Sequence, residues 1–173
     1  MIQQKSEIKT GLESSFQKMV QFIESLDKHD FEDNPNGKWS AGQQLEHLIK
    51  SVKPLNLVFL LPKFVLPIMF GKMKRTGRSY EELLDKYHEK LKKGGQASSP
   101  FVPAVIKFEE REQKLRQFKN HLSKLIRHLD SMSDKQLDTL ILPHPLLGKV
   151  SLREMMFFTI FHTEHHLNLL KAK

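Results

Sequence analysis

The chain has no cysteine. That excludes disulfides, thiolate metal ligands and a cysteine nucleophile, and it suits a reducing, cytoplasmic setting. It has one tryptophan and two tyrosines, with no alternation of basic and aromatic residues, so a stacking platform for nucleic acid is not expected. Long apolar runs are scarce. The strongest, residues 55–70, has twelve large apolar residues in sixteen, but Pro62 and Pro67 divide it and Lys63 interrupts it. It is too short and too broken for a transmembrane helix. The first residues, Met1-Ile2-Gln3-Gln4-Lys5, lack the apolar core of a secretion signal.

What remains is an ordinary globular composition. The 173 residues are 39% hydrophobic and 28% charged, enough for one domain, 1–173, with a real hydrophobic core. The formal net charge is +8. The cations are mostly mixed with acids, and the densest group, Lys72-Met73-Lys74-Arg75 with Arg78, falls at a turn. A solvated basic surface is therefore expected, and a nucleic-acid partner is not.

Apolar positions at Ile8, Leu12, Phe16, Met19, Ile23 and Leu26 make one helical stripe, ending near His29 before the turn-rich Asp33-Asn34-Pro35-Asn36-Gly37. After Trp39, the pattern Ser40-Ala41-Gly42-Gln43 reads as a capping box, opening a helix with Leu45, Leu48, Ile49 and Val52 that Pro54 should kink. Residues 55–70 are expected to continue that helix, buried or half-buried, with a subunit interface or a pocket wall as the sharper alternatives. Ser79 starts a short charged helix that runs toward Gly94. A long helix carries Phe108, Leu115, Phe118, Leu122, Leu125 and Leu129, and Ser131 to Leu140 holds one more short turn. Residues 143–148 read as a loop, and Ser151 with Glu154 caps the last helix. No strand alternation stands out. The expected fold is all-α, four long helices with a long excursion between the second and third.

The last helix contains His162-Thr163-Glu164-His165-His166. His162 and His166 are one turn apart, so their imidazoles can meet on one face. A lone histidine on so apolar a helix is usually a hydrogen-bonded core residue, but two adjacent buried imidazoles call for a shared role. His47 on the second helix is the natural third member, and three imidazoles suit an open-sided divalent metal site. Glu164 is two residues from each histidine and points off that face, so a surface role is expected. His165, turned about 100° from His166, rims the pocket or lies on the surface, the latter being favoured. Gln43, one turn before His47, is a candidate cofactor-binding residue, to orient a metal-bound water or contact substrate, although it can simply complete the capping box. His144, between two prolines, could reach a site mouth, while His29, His88, His121 and His128 sit among charges and read as surface residues.

These elements together resemble the DinB-like superfamily: Trp39-Ser40 leading to Gln43-Gln44-Leu45-Glu46-His47-Leu48, the turn Gly148-Lys149-Val150-Ser151, and Phe158 through Leu167 with its histidines. The resemblance implies an up-down-down-up four-helix bundle and a metal, commonly zinc or nickel, held by the residues matching His47, His162 and His166. It also implies a bacterial metal-dependent hydrolase or an S-transferase using a low-molecular-weight thiol cosubstrate such as bacillithiol, mycothiol or glutathione. The ion's charge would activate a water or a thiol. The competing reading is a non-catalytic helical module that binds a metal, a small ligand or a partner. A fourth protein ligand, such as His144 or His165, would favour it. A small-molecule substrate and, through residues 55–70, a homodimer are the expected partners.

Overall fold

The computed structural model describes residues 4–34 and 37–172. Met1 to Gln3, Pro35 and Asn36 of the expected turn, and Lys173 lie outside the described residues. Helix α1 (Lys5–Ser25) buries the expected stripe from Ile8 to Ile23 and gives way to a short α2 (Lys28–Glu32). Helix α3 (Ala41–Val58) starts at the anticipated capping box, in which the Gln43 N–H donates to Ser40 Oγ at 3.2 Å. It then runs through Pro54 for another turn. Helices α4 (Val65–Phe70), α5 (Tyr80–Lys92), α6 (Arg111–Asp130), α7 (Asp134–Thr139) and α8 (Leu152–Lys171) follow, the last two opened by capping boxes at Ser133 and Ser151.

The four long helices, α1, α3, α6 and α8, form the bundle, and side-chain contacts fix its directions. Lys5 at the start of α1 donates to the Asp130 carbonyl at the end of α6, so those two helices run antiparallel. Glu46 pairs with Lys114 near the starts of α3 and α6, and Phe59 stacks on His128 near their ends, so these two are parallel. His47 near the start of α3 meets His162 late in α8, which makes that pair antiparallel. The result is the expected up-down-down-up order. Phe16 and Phe118 stack at 4.3 Å between ring centroids in the core, where both are buried.

Three expectations need correction. Residues 143–148 do not form a plain loop: β1 (Ile141–His144) and β2 (Gly148–Ser151) make an antiparallel hairpin, with Leu142 opposite Val150 and His144 opposite Gly148. Two prolines hid the strand, and Gly148 at φ 73° closes the three-residue turn in the left-handed region. Nor is the segment 55–70 a buried extension of α3. The helix stops at Val58, and Leu57, Leu60, Leu61, Phe64, Ile68 and Met69 are exposed, while Leu55 and Leu66 face inward. The basic turn is likewise only partly solvated. Arg75 Nη1 and Nη2 donate to the buried Glu154 carboxylate at 2.7 and 2.8 Å, and the Arg78 backbone N–H donates to it at 2.8 Å. Glu154 also receives the Ser151 N–H, so one carboxylate caps α8 and ties the excursion to it.

Candidate functional site

Helix α8 is apolar on most sides, with Phe157, Phe158, Ile160 and Leu167 buried. Its polar side chains must therefore find partners locally. Thr163 and Thr159 do so by donating to the carbonyls four residues earlier, at 2.9 and 2.8 Å. His162 and His166 have a different solution: each faces a neighbouring imidazole.

The helical spacing sets the His162 and His166 Nε2 atoms 2.9 Å apart, and the early turns of α3 bring His47 Nε2 to 3.1 Å from His162 Nε2. All three rings are buried. The other nitrogens of the outer pair are already engaged. His47 Nδ1 donates to the Phe101 carbonyl at 2.7 Å, and His166 Nδ1 donates to the side-chain oxygen of Gln44. Carbonyl oxygens only accept, so both Nδ1 atoms carry the proton and both Nε2 atoms present lone pairs toward the cluster. Burial first, and then the neighbouring imidazoles, hold His162 and His166 well below the usual histidine range. His47 is lowered by burial against the opposing pull of the Phe101 hydrogen bond. Three neutral imidazoles face one another.

Trp39 covers the cluster, its ring 4.9 Å from that of His47 and 6.4 Å from that of His166. Beside it lies a cavity of about 330 Å³, whose wall includes Leu55, Val58, Phe70 and Phe158 as well as the three histidines. The inward side of the apolar segment thus supplies part of the pocket wall.

The remaining candidates separate clearly. Gln43 stays in the capping box, its side-chain oxygen accepting the Ser40 N–H at 3.1 Å. It is Gln44, quoted in the sequence pattern but given no role, that reaches His166. Both glutamines flank the face of His47, and the capping box, legible at Ser40, already claims Gln43. The Phe101 carbonyl carries no side-chain signal at all. His165 is half-buried at the cavity, with its ring 5.3 Å from that of His166, instead of lying free on the surface. Glu164 interacts with Tyr80, whose hydroxyl is pushed up to about 12 by burial and then by that carboxylate. His144 also lines the cavity. Its Nδ1 accepts the N–H groups of Leu146 and Leu147, both at 3.1 Å, and burial lowers its pKa to about 4. His29 and His88 are exposed as expected, whereas His121 is half-buried beside Asn56, and His128 under Phe59. Among the described residues, the buried group able to hold a metal consists of His47, His162 and His166, without a fourth histidine, aspartate or glutamate.

Solved structures share this architecture. YfiT from Bacillus subtilis, described as a probable metal-dependent hydrolase with an unusual four-helix bundle topology, superposes with a TM-score of 0.64 at 17% identity, covering 99% of this chain and 86% of its own. The colibactin self-resistance protein ClbS, solved in complex with double-stranded DNA, gives 0.54 at 15% identity, covering 97% of this chain and 93% of its own. These likenesses establish the fold. No curated protein matches the sequence. The sequence profile of the DinB superfamily matches residues 11–170, nearly the whole chain, and the protein belongs to that superfamily.

Proposed function

We propose that the protein is a divalent-metal-dependent enzyme in which His47, His162 and His166 are the metal ligands and the adjoining apolar cavity receives the substrate. The observation that carries this reading is the convergence of three buried imidazoles, with His162 Nε2 within hydrogen-bonding distance of both His47 Nε2 and His166 Nε2 and a ligand nitrogen of each ring within 4.8 Å of the others. With both outer Nδ1 atoms protonated, a single proton on His162 Nε2 can satisfy only one of its two neighbours. The other lone pair faces a buried imidazole, an arrangement that a cation relieves. The donors also fit: imidazole nitrogens about 2.0–2.1 Å from a tetrahedral ion stand roughly 3.3 Å from each other, close to the spacing present here.

Each neighbouring residue has a definable part. The Phe101 carbonyl and Gln44 fix the tautomer and orientation of His47 and His166, so that their Nε2 lone pairs remain available. Trp39 limits the approach of water from its side. Bound there, a divalent ion supplies Lewis acidity, which makes a water or a thiol a stronger nucleophile near neutral pH. The chain has no cysteine, so a thiol nucleophile would have to come from solution. Water would give hydrolysis and a low-molecular-weight thiol would give S-transfer, with the apolar wall holding the electrophile. The three-ligand set, without a fourth side chain among the described residues, favours this reading over a closed structural metal site.

The test is metal analysis followed by a reaction screen. Purified protein should hold about one zinc or nickel ion per chain, and His162→Ala should hold far less. Metal-loaded protein is then offered a panel of esters and amides, and separately several thiols with one generic electrophile. Turnover that disappears in His162→Ala supports an enzyme. Wild-type protein that binds no divalent ion, and whose melting temperature ignores chelator, refutes the metal site.

A further inference from the structure

Between Glu46 and Glu81 the chain has no acidic residue, yet it carries seven lysines and arginines, from Lys50 to Arg78. The chain as a whole has 28 basic and 20 acidic residues, so seven of its eight net positive charges arise in this one interval. The same interval contains the exposed apolar residues of the excursion. Helix α4 turns Leu66 inward, which places Phe64 and Ile68, two residues to either side, on the outward face. Ile68 is 77% exposed and Leu60 in the preceding turn is 72% exposed. Lysines frame this face. Lys53 stands one helical turn before Leu57 on α3, Lys63 lies within the turn and donates to the Ser131 carbonyl at 2.9 Å, and Lys149 donates to the Phe70 carbonyl at the end of α4 at 3.1 Å. Lys72 follows immediately and is exposed.

We propose that this face docks on the surface of an anionic lipid bilayer, with the aliphatic side chains and Phe64 entering the boundary between headgroups and acyl chains while the lysines meet lipid phosphates. An apolar patch and a polybasic rim are the two complementary signals that a reversible membrane contact needs. A second copy of the chain would cover the apolar residues but would set lysine against lysine around the rim. A nucleic acid would meet the lysines but leave the leucines and Ile68 without an apolar partner, and Phe64 is the one exposed Phe, Tyr or Trp among the described residues. Arg75 and Arg78 are occupied by Glu154 and do not enter the docking set. The inference is independent of the histidine site, and no helix among the described residues is long and apolar enough to cross a membrane.

The experiment is co-sedimentation of the full chain with vesicles of phosphatidylcholine, alone or mixed with phosphatidylglycerol. The protein should bind the mixed vesicles and bind phosphatidylcholine at least about tenfold more weakly. Phe64→Ser with Ile68→Ser, both at exposed positions, should abolish binding without lowering the melting temperature. Lys53→Gln with Lys72→Gln should weaken it about fivefold for each lysine removed. The proposal is overturned if the two vesicle types bind alike, or if the serine variant binds as well as wild type. It is also overturned if the protein ignores vesicles and sediments as a dimer that the serine substitutions dissociate, which assigns the face to a second copy. Duplex DNA binding that survives those substitutions but not the lysine ones, without vesicle binding, assigns it to nucleic acid.

Discussion

Gln44 and His166 lie 122 residues apart in sequence, and the amide oxygen of one accepts the Nδ1 proton of the other inside the bundle. The contact spans α3 and α8 and determines which imidazole nitrogen of His166 faces its neighbours. The adjacent Gln43 points elsewhere and holds the Ser40 N–H. Two consecutive glutamines thus serve separate ends, one the site and one the helix terminus.

That division can be measured. If the proposed metal site is right, Gln44→Ala should weaken metal binding by about 10–100-fold while leaving the fold intact, because it removes the partner that orients His166. Gln43→Ala should cost stability of order 1 kcal/mol through the cap and change metal affinity little. Titration calorimetry with zinc, paired with thermal unfolding of both variants, separates the two effects.

His144 gives a pH dependence of known sign. Its folded-state pKa of about 4 lies below the ordinary value of 6.5, because burial disfavours the imidazolium. The unfolded chain therefore takes up the proton first. The stability that this residue contributes is fully present above pH 6.5 and is lost as pH falls from there toward about 4. In His144→Asn, where a shorter acceptor can still meet the Leu146 and Leu147 N–H groups, urea unfolding across that range should show a shallower decline than wild type.

Gly42 occupies the first turn of α3, where a Cβ would stand 2.8 Å from Phe31 Cε1 and 3.1 Å from Ile106 Cβ. The phenyl ring is stiff and buried. Gly42→Ala should therefore destabilise the protein by about 1–3 kcal/mol through overpacking, in spite of alanine's better helix propensity. Chemical denaturation gives the number, and a variant as stable as wild type would show that Phe31 can retreat.

Burial alone would raise the pKa of Glu154, but the Arg75 hydrogen bonds and the N–H groups of Arg78 and Ser151 outweigh it, and the carboxyl sits below the ordinary 4.5. Its contribution to stability is thus present above that value and is lost as pH falls through the lower folded one. Glu154→Ala should cost about 2–3 kcal/mol near neutrality, less than a fully buried pair would, since the guanidiniums left behind are partly open to water. Unfolding free energies of the variant between about pH 6 and pH 3 should fall less steeply than those of wild type.

Most of the bundle could be read directly from the chain because its signals are local. Capping boxes at Ser40, Ser79 and Ser151 mark helix starts, and apolar spacing marks the buried faces. The four-residue spacing of His162 and His166 likewise follows from one helix. What stayed hidden depends on encounters between distant segments. The hairpin at 141–151 is stabilised by pairing, which Pro143 on the first strand and Pro145 in the turn disguise. The Phe101 carbonyl beside His47 is backbone, and backbone has no letter in the sequence. Residues 55–70 look like core from composition, yet the turn after Val58 sends half of them outward, and only packing against Leu66 and Leu55 decides which half.

Trp39 has a practical consequence. It is the chain's one tryptophan, and it lies against two of the three clustered imidazoles. Indole emission from this protein therefore comes from a single known place, without a second source to subtract. The molecule carries its own optical gauge of that place, and a change in emission on adding zinc, lost in His162→Ala, is the expected sign of an ion entering the proposed site.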